Sequence, residues 1–196
     1  MAGQPPQRIV YLSTIGVYGD HAGAWVDETS LTKPTNLRSQ WRLEAENQWI
    51  AFAREHGCNL DIQRLSGIYG PGRLPVESVR AGTPVVNPAH IGWTNRIHAD
   101  DLARIAYLAA VRDVHGPFNV SDGSPGKWGD LSMAVAEVLG LPRPRVISFT
   151  EAAERLTPMQ LSFLMESRRL DIMRMLEELR PALLYPDVVD GVRASL

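Results

Sequence analysis

Arg8-Ile-Val-Tyr-Leu-Ser13 and Leu60-Asp-Ile-Gln-Arg-Leu65 are the two runs on which the fold turns. The first is nearly continuous in apolar, β-branched and aromatic residues, as expected of a strand covered on both faces. Between the two runs lie an irregular stretch, residues 14–36, and then a helix-forming segment. Asn36 is a plausible N-cap for that helix and Gly57, after His56, a plausible C′ residue. Trp41, Ala45, Trp49 and Ala53 recur at one-turn intervals and predict an apolar stripe packed on a sheet. Strand, helix and strand in this order make a right-handed βαβ unit with two parallel strands, so the class is α/β.

Working outward, residues 69–72 (Tyr-Gly-Pro-Gly) read as a sharp turn and residues 99–111 as a short amphipathic helix begun by Asp100 and Asp101. Gly116-Pro-Phe-Asn-Val120 reads as a short strand, 129–139 as a helix stopped by Gly140 and Pro142, and 145–149 as an extended piece. Residues 150–179 read as mostly helical, with Pro181 and Pro186 breaking the pattern before a short tail. No internal repeat is visible. A strand that wants neighbours on both sides stands at residue 8, after a Pro-containing leader that can neither pair with it nor cover it. One edge is therefore expected to stand open, as if the chain began in the middle of a sheet.

The 196 residues, with 44% hydrophobic and 21% charged, have globular values and no charge run or low-complexity tract. A chain of this length buries roughly 70% of its unfolded surface. A formal charge of -2 excludes a general affinity for nucleic acid or anionic lipid, so any anion site must be local. The one cysteine, Cys58, has no disulfide partner and no metal-ligand spacing around it, and reads as a buried thiol in a reducing compartment. No basic-then-apolar leader and no run of eighteen apolar residues occur, so the expectation is a soluble cytoplasmic chain with no membrane partner.

Five strings occur in one order: Leu12-Ser-Thr-Ile-Gly-Val-Tyr-Gly19, Arg42-Leu-Glu-Ala-Glu46, Arg64-Leu-Ser-Gly-Ile-Tyr-Gly-Pro71, Ile97-His-Ala-Asp-Asp-Leu-Ala103 and Phe118-Asn-Val-Ser-Asp122. Together they resemble the NAD-dependent epimerase/dehydratase family, the extended short-chain dehydrogenases, over most of residues 8–125. The Trp41-Arg42 pair resembles a subgroup of uncharacterised bacterial proteins of that family. The resemblance implies a doubly wound, Rossmann-like parallel sheet, present here only in part, that binds NAD or NADP. It also implies a small-molecule substrate held against a small C-terminal substrate-binding portion. On this view residues 1–72 are the later half of the nucleotide-binding domain. Residues 73–196 are mostly the substrate-binding portion, with 93–125 returning to the sheet. The Gly-rich phosphate turn that the family places after its first strand is not found. The one Gly cluster, Gly123-Ser-Pro-Gly-Lys-Trp-Gly129, follows a late strand without dinucleotide or P-loop spacing and reads as a loop.

The same resemblance designates site residues. Thr14 takes the catalytic Ser/Thr position, whose hydroxyl bonds the reacting oxygen, and Ser13 lies beside the nicotinamide ribose. The alternative is that both hydroxyls only satisfy turn amides. The family's Tyr-x-x-x-Lys pair falls on Arg38 and Arg42, still i and i+4 on one helix face. Arginine has no acceptor and stays protonated, so it cannot replace the tyrosine as proton donor and acceptor. Arg42 is left to hold a ribose hydroxyl or a phosphate, and Arg38 to grip a carboxylate or phosphate. The plainer alternative makes Arg38 a solvated first-turn residue and pairs Arg42 with Glu46. Leu65, Ser66 and Gly67 match the backbone that meets the nicotinamide carboxamide.

Tyr18, Arg73 and His98 are candidates on the substrate side, each with a structural alternative. Tyr18, Asp20, His21, Tyr69 and His98 are the groups through which a proton could move instead. Arg168 and Arg169, near Glu166 and Asp171, read most simply as a solvated face. Dimerisation through helix 38–56 is what the family implies. Three functions follow as alternatives: an atypical NAD(P)-dependent epimerase/dehydratase or reductase-like enzyme on a small or sugar-nucleotide-type substrate, a non-catalytic NAD(P)-binding sensor or interaction module, or an inactive truncated product.

Overall fold

The computed structural model describes residues 4–196, so the first three residues of the leader lie outside the described residues. In chain order, β1 (Arg8–Thr14) is followed by a 3-10 turn (Ile15–Tyr18), the two-residue strand β2 (Trp25–Val26), α1 (Leu37–His56), β3 (Asn59–Leu65) and β4 (Gly67–Tyr69). Next come α2 (Val76–Arg80), β5 (Val85–Val86), β6 (Arg96–His98), α3 (Ala99–Val111), β7 (Gly116–Val120) and α4 (Asp130–Val138). The C-terminal part holds β8 (Val146–Ile147), α5 (Phe149–Ala153), α6 (Pro158–Met165), β9 (Arg169–Leu170), a π-helical turn (Met175–Leu179) and α7 (Val188–Ser195).

The βαβ reading holds. β1 pairs parallel with β3 over its whole length, from Arg8 opposite Asn59 to Thr14 opposite Leu65. β7 adds a third parallel strand on the far side of β3, so the order is β1-β3-β7 and β1 stands at an edge. The helix between the first two strands is set by its ends. Asn36 accepts the Ser39 amide at 2.9 Å, and Gly57 closes the last turn at φ 66, a left-handed conformation that glycine adopts without a Cβ penalty.

Both faces of the sheet are covered. Ala53 of α1 meets Leu60 and Ile62 on one side. On the other, Val10, Leu65, Phe118 and Val120 pack on Ile105 and Ala109 of α3 and on Met175 and Leu179. A separate cluster joins Tyr69 and Val79 to Val135 of α4 and Val192 of α7. Three further two-stranded parallel pairs form, β2 with β9, β4 with β6 and β5 with β8.

Three expectations change. The stripe is only partly turned to the sheet: Ala53 is buried against it and the Trp49 ring lies near Tyr11 of β1, but Trp41 is 69% exposed, and the buried side of α1 carries Ser39, Glu46 and Ala53. The sheet presents polar Ser13 and Arg64 to that side, and both bond Glu46, so a carboxylate and not an indole takes the inner position. Residues 150–179 are mostly helical, as read, with 166–170 running extended between the helices. Ser167 O accepts the amides of His21 and Gly23, and Arg169 N donates to Ala24 O. The short tail holds a helix, α7, begun by Asp187, whose carboxylate accepts two first-turn amides. Arg168 and Arg169 are not a solvated face: Arg168 is 8% exposed. Arg169 lies over both Trp25 and Trp93, with Lys127 on Trp93 in turn, an alternating stack of cations and indoles.

Candidate functional site

The carboxyl ends of β1 and β3 open onto a cleft of about 840 Å³. In an open parallel sheet this is where ligands bind, because the strands end there while the loops and helix N-termini diverge. Ser13 and Thr14 come from the end of β1, Leu65, Ser66 and Gly67 from the end of β3 and the start of β4, and Arg38 and Arg42 from the first turns of α1. Arg73, from the turn after β4, also lines it. Eight positions drawn from three stretches of sequence therefore share one cavity. Tyr18 and His98 are not among its lining residues.

Thr14 is the N-cap of the 3-10 turn. Its Oγ1 accepts the Gly16 amide at 3.1 Å, which leaves the hydroxyl hydrogen free to donate into the cleft. Ser13 is committed differently: its hydroxyl donates to Glu46 Oε1 at 2.5 Å. Glu46 also pairs with Arg64 at 2.8 Å, both side chains being buried. Arg64 donates onward to the Tyr18 hydroxyl at 3.0 Å, and that hydroxyl donates to Asn119 Oδ1 at 2.7 Å. The network runs beneath the cleft floor, from β1 through α1 and β3 to β7.

Glu46 being occupied, Arg42 has no carboxylate. Its one bond is to the Tyr11 hydroxyl, at 3.4 Å. The Arg38 and Arg73 side chains are exposed and carry no hydrogen bond or ion pair among the described residues. Arg168 is the cleft residue that sequence reasoning missed. It donates to Gly19 O at 2.6 Å and pairs with Glu166 at 2.9 Å, leaving its buried Nε without a partner. No local signal marks it, since its burial comes from contacts about 150 residues away in sequence.

Four of the five candidates for proton movement are held by hydrogen bonds, and the fifth, Tyr69, is buried with its hydroxyl unpartnered among the described residues. Burial pushes the Tyr18 phenol up to about 12, with Arg64 acting in the opposite sense, so it keeps its proton. Asp20 accepts the amides of Ala22 and Ser167, and His21 Nε2 bonds Leu31 O at 3.1 Å. Tyr69 is buried, and that burial raises its pKa too. His98 is 1% exposed. Its Nδ1 accepts the Asp100 amide, starting α3, and its Nε2 faces Ser195 Oγ at 2.9 Å. Ser195 gives its own hydrogen to Gly191 O, so Nε2 must be the donor, and the ring is a neutral brace between α3 and α7.

A parallel α/β sheet with a cleft at its strand ends is the Rossmann-like arrangement. The chain belongs to the NAD dependent epimerase/dehydratase family, whose model matches residues 1–121. It is 30% identical over 140 residues to Protein YeeZ of Escherichia coli (strain K12), a match covering 70% of this chain and 48% of YeeZ. The chain thus spans about half the length of the curated relatives it matches first. A functionally unknown conserved protein from Silicibacter pomeroyi DSS superposes with a TM-score of 0.86 at 40% identity, over 96% of this chain and 65% of that one. UDP-glucuronic acid 4-epimerase from Bacillus cereus, solved in complex with NAD, has a TM-score of 0.75 at 17% identity, over 96% and 60% of the two chains, a likeness of fold. Among the described residues no helix is long and apolar enough to cross a membrane, and no group of His, Cys, Asp and Glu could hold a metal ion.

Proposed function

We propose that this protein is an NAD(P)-dependent epimerase/dehydratase or reductase-like enzyme acting on a small or sugar-nucleotide-type substrate. The supporting observation is the convergence of Ser13, Thr14, Arg38, Arg42, Leu65, Ser66, Gly67 and Arg73 on one cleft at the strand ends. The nicotinamide end of the cofactor fits what is there. Ser66 Oγ is buried without a partner, and the Cα of Gly67 faces space that a Cβ would share only with Asn95 O. Ser13, Arg42, Leu65, Ser66 and Gly67 are the residues that would hold it. When bound, the cofactor supplies hydride transfer.

The chain's own part is to orient and to donate. Thr14 offers a hydroxyl hydrogen to the reacting oxygen of the substrate, and Arg42 offers two or more N–H groups to a ribose hydroxyl or phosphate. Neither arginine accepts a proton, so proton removal is not assigned to the helix pair. Residues 1–72 carry the cofactor side and most of 73–196 the substrate side. A second copy is the proposed partner of α1, whose outer face carries exposed Leu37 and Trp41.

One observation favours a second reading, a cofactor-binding module without turnover: Tyr18, Asp20, His21, Tyr69 and His98 are all held in structural bonds or buried. Titration of NADH and NADPH by fluorescence, followed by a turnover panel of sugar nucleotides, aldehydes and ketones, separates the two. Binding with turnover supports the enzyme and binding without turnover the module. Absence of any binding overturns both.

A further inference from the structure

We propose that the cleft takes a substrate whose non-reacting end is a flat aryl ring, and not a nucleobase, stacked on Trp128 and Phe163. This rests on reading the cleft as the substrate site, and it selects the small-molecule branch of that reading.

Trp128 and Phe163 line the cleft from two separate elements, the turn that leads into α4 and the outward side of α6. They are 40% and 51% exposed. Neither ring meets another ring or a cation among the described residues. Trp93, the third aromatic residue of the lining, differs from both. Lys127 Nζ lies 4.2 Å from its ring centre and the Arg169 guanidinium 5.4 Å, so the protein's own cations already occupy it.

Both open rings are held where they are by their neighbours. Beside Trp128, a Cβ on Gly129 would lie 3.0 Å from Val85 of β5, Lys127 Nζ donates to Ile91 O at 2.9 Å, and Thr94 and Gly126 pair as a bridge. The turn is thereby fixed with its indole outward. Beside Phe163, Leu164 is 2% exposed and anchors α6 in a cluster with Ile91 and Ile147. Covering exposed apolar surface is favourable in itself, and a flat aromatic ring gains a stacking interaction that a puckered one does not.

The polar groups of the wall decide which kind of ring. A nucleobase is recognised by hydrogen bonds along its edge, and side-chain amides match both its donors and its acceptors. The cleft holds two such amides, Asn36 and Asn95, and both are committed. Asn36 accepts the Ser39 amide and donates to Glu166, while Asn95 donates to Arg168 O and accepts the Leu170 amide, at 3.0 Å each. With the rings open and the amides closed, the wall suits an apolar aryl group better than a base.

Saturation-transfer NMR on the full chain, without NAD(P), tests this with three probes: benzylacetone, its cyclohexyl counterpart and uridine. Ligands of this size bind in about the millimolar range. The expected result is a saturable signal from benzylacetone, strongest on its ring protons, with Kd about threefold or more below that of the cyclohexyl ketone, and no saturable signal from uridine. The double variant Trp128→Leu/Phe163→Leu keeps two exposed positions apolar but not flat, and is expected to weaken Kd for benzylacetone about three- to tenfold. Tyr107→Leu, at a 66% exposed aromatic position on α3, is expected to leave it unchanged. No signal from benzylacetone, equal binding of the two ketones, uridine binding as tightly as benzylacetone, or a double variant that binds like the parent overturns the proposal. NADH binding without a benzylacetone signal would sink this inference and leave the cofactor reading standing. Ring binding without NADH binding would do the reverse.

Discussion

At the scale of single residues, Thr14 shows how one bond frees another. Because Oγ1 only accepts, from the Gly16 amide, its hydrogen is left to donate to a ligand in the cleft that Thr14 lines. Thr14→Val is expected to lower turnover about a hundredfold, in the manner of a lost oxyanion donor, and Thr14→Ser to keep it. Steady-state rates with the substrate found by the panel check both, with circular dichroism confirming an unchanged fold. Asp61 on β3 is fully buried beside the Gln63 side chain. Burial pushes its carboxyl from 3.8 up to about 7. The unfolded chain gives up this proton near 3.8 and the native chain near 7, so the stabilisation is complete below 3.8 and lost as pH rises through 7. The slope in that window is at most about 1.4 kcal/mol per pH unit for one group. Asp122, raised to about 7 mainly by burial, adds a second such slope. Urea unfolding at several pH values is expected to show Asp61→Asn with a shallower fall than the parent, and a parallel fall would refute the assignment. The sequence singled out Thr14, Arg38, Arg42 and Arg73 through motif spacing. It passed over Arg168 because its neighbours Glu166 and Asp171 imitate a solvated charge cluster, while its burial depends on Gly19 far along the chain.

At the scale of elements, α1 is held to the sheet by charge as much as by apolar contact. Glu46 meets Arg64 of β3 through two guanidinium nitrogens, with the Ser13 hydroxyl on the same carboxylate. Glu46→Ala leaves a buried cation without its partner, and a loss of about 3–5 kcal/mol is expected in urea unfolding. α7 offers a steric test. A Cβ on Gly191 would fall onto the Tyr69 hydroxyl, so Gly191→Ala is expected to cost about 1–3 kcal/mol, read as a lowered Tm. The strands β1, β3 and β7, the helix α1 and both its caps were legible because each is set by neighbours a few residues away. The inner face of α1 was legible only in part: Trp41 has the right period, yet the innermost position falls to Glu46, because the sheet presents Ser13 and Arg64 there. α7 escaped because eight residues after two prolines give too short a period to see, and only Asp187 marks its start.

At the scale of the whole molecule, the outer face of α1 carries the prediction about assembly. Leu37 and Trp41, one turn apart on it, are apolar and 65% and 69% exposed. If a second copy covers it, Trp41→Glu is expected to shift sedimentation from dimer to monomer, whereas a parent chain that sediments as a monomer at all concentrations removes the proposal. The parallel order of the sheet followed from local runs, but the way the chain closes on itself did not, because β2 meets β9 across more than a hundred residues. That closure has a consequence for biosynthesis. β2 ends at Val26 and its partner begins at Arg169, so during translation the first waits for the second. At about 5–20 residues per second the wait is on the order of 10–30 s. Through that interval Trp25 and the backbone of residues 19–27 are present on the nascent chain without the segment that shields them, and this is the window in which a chaperone would be needed.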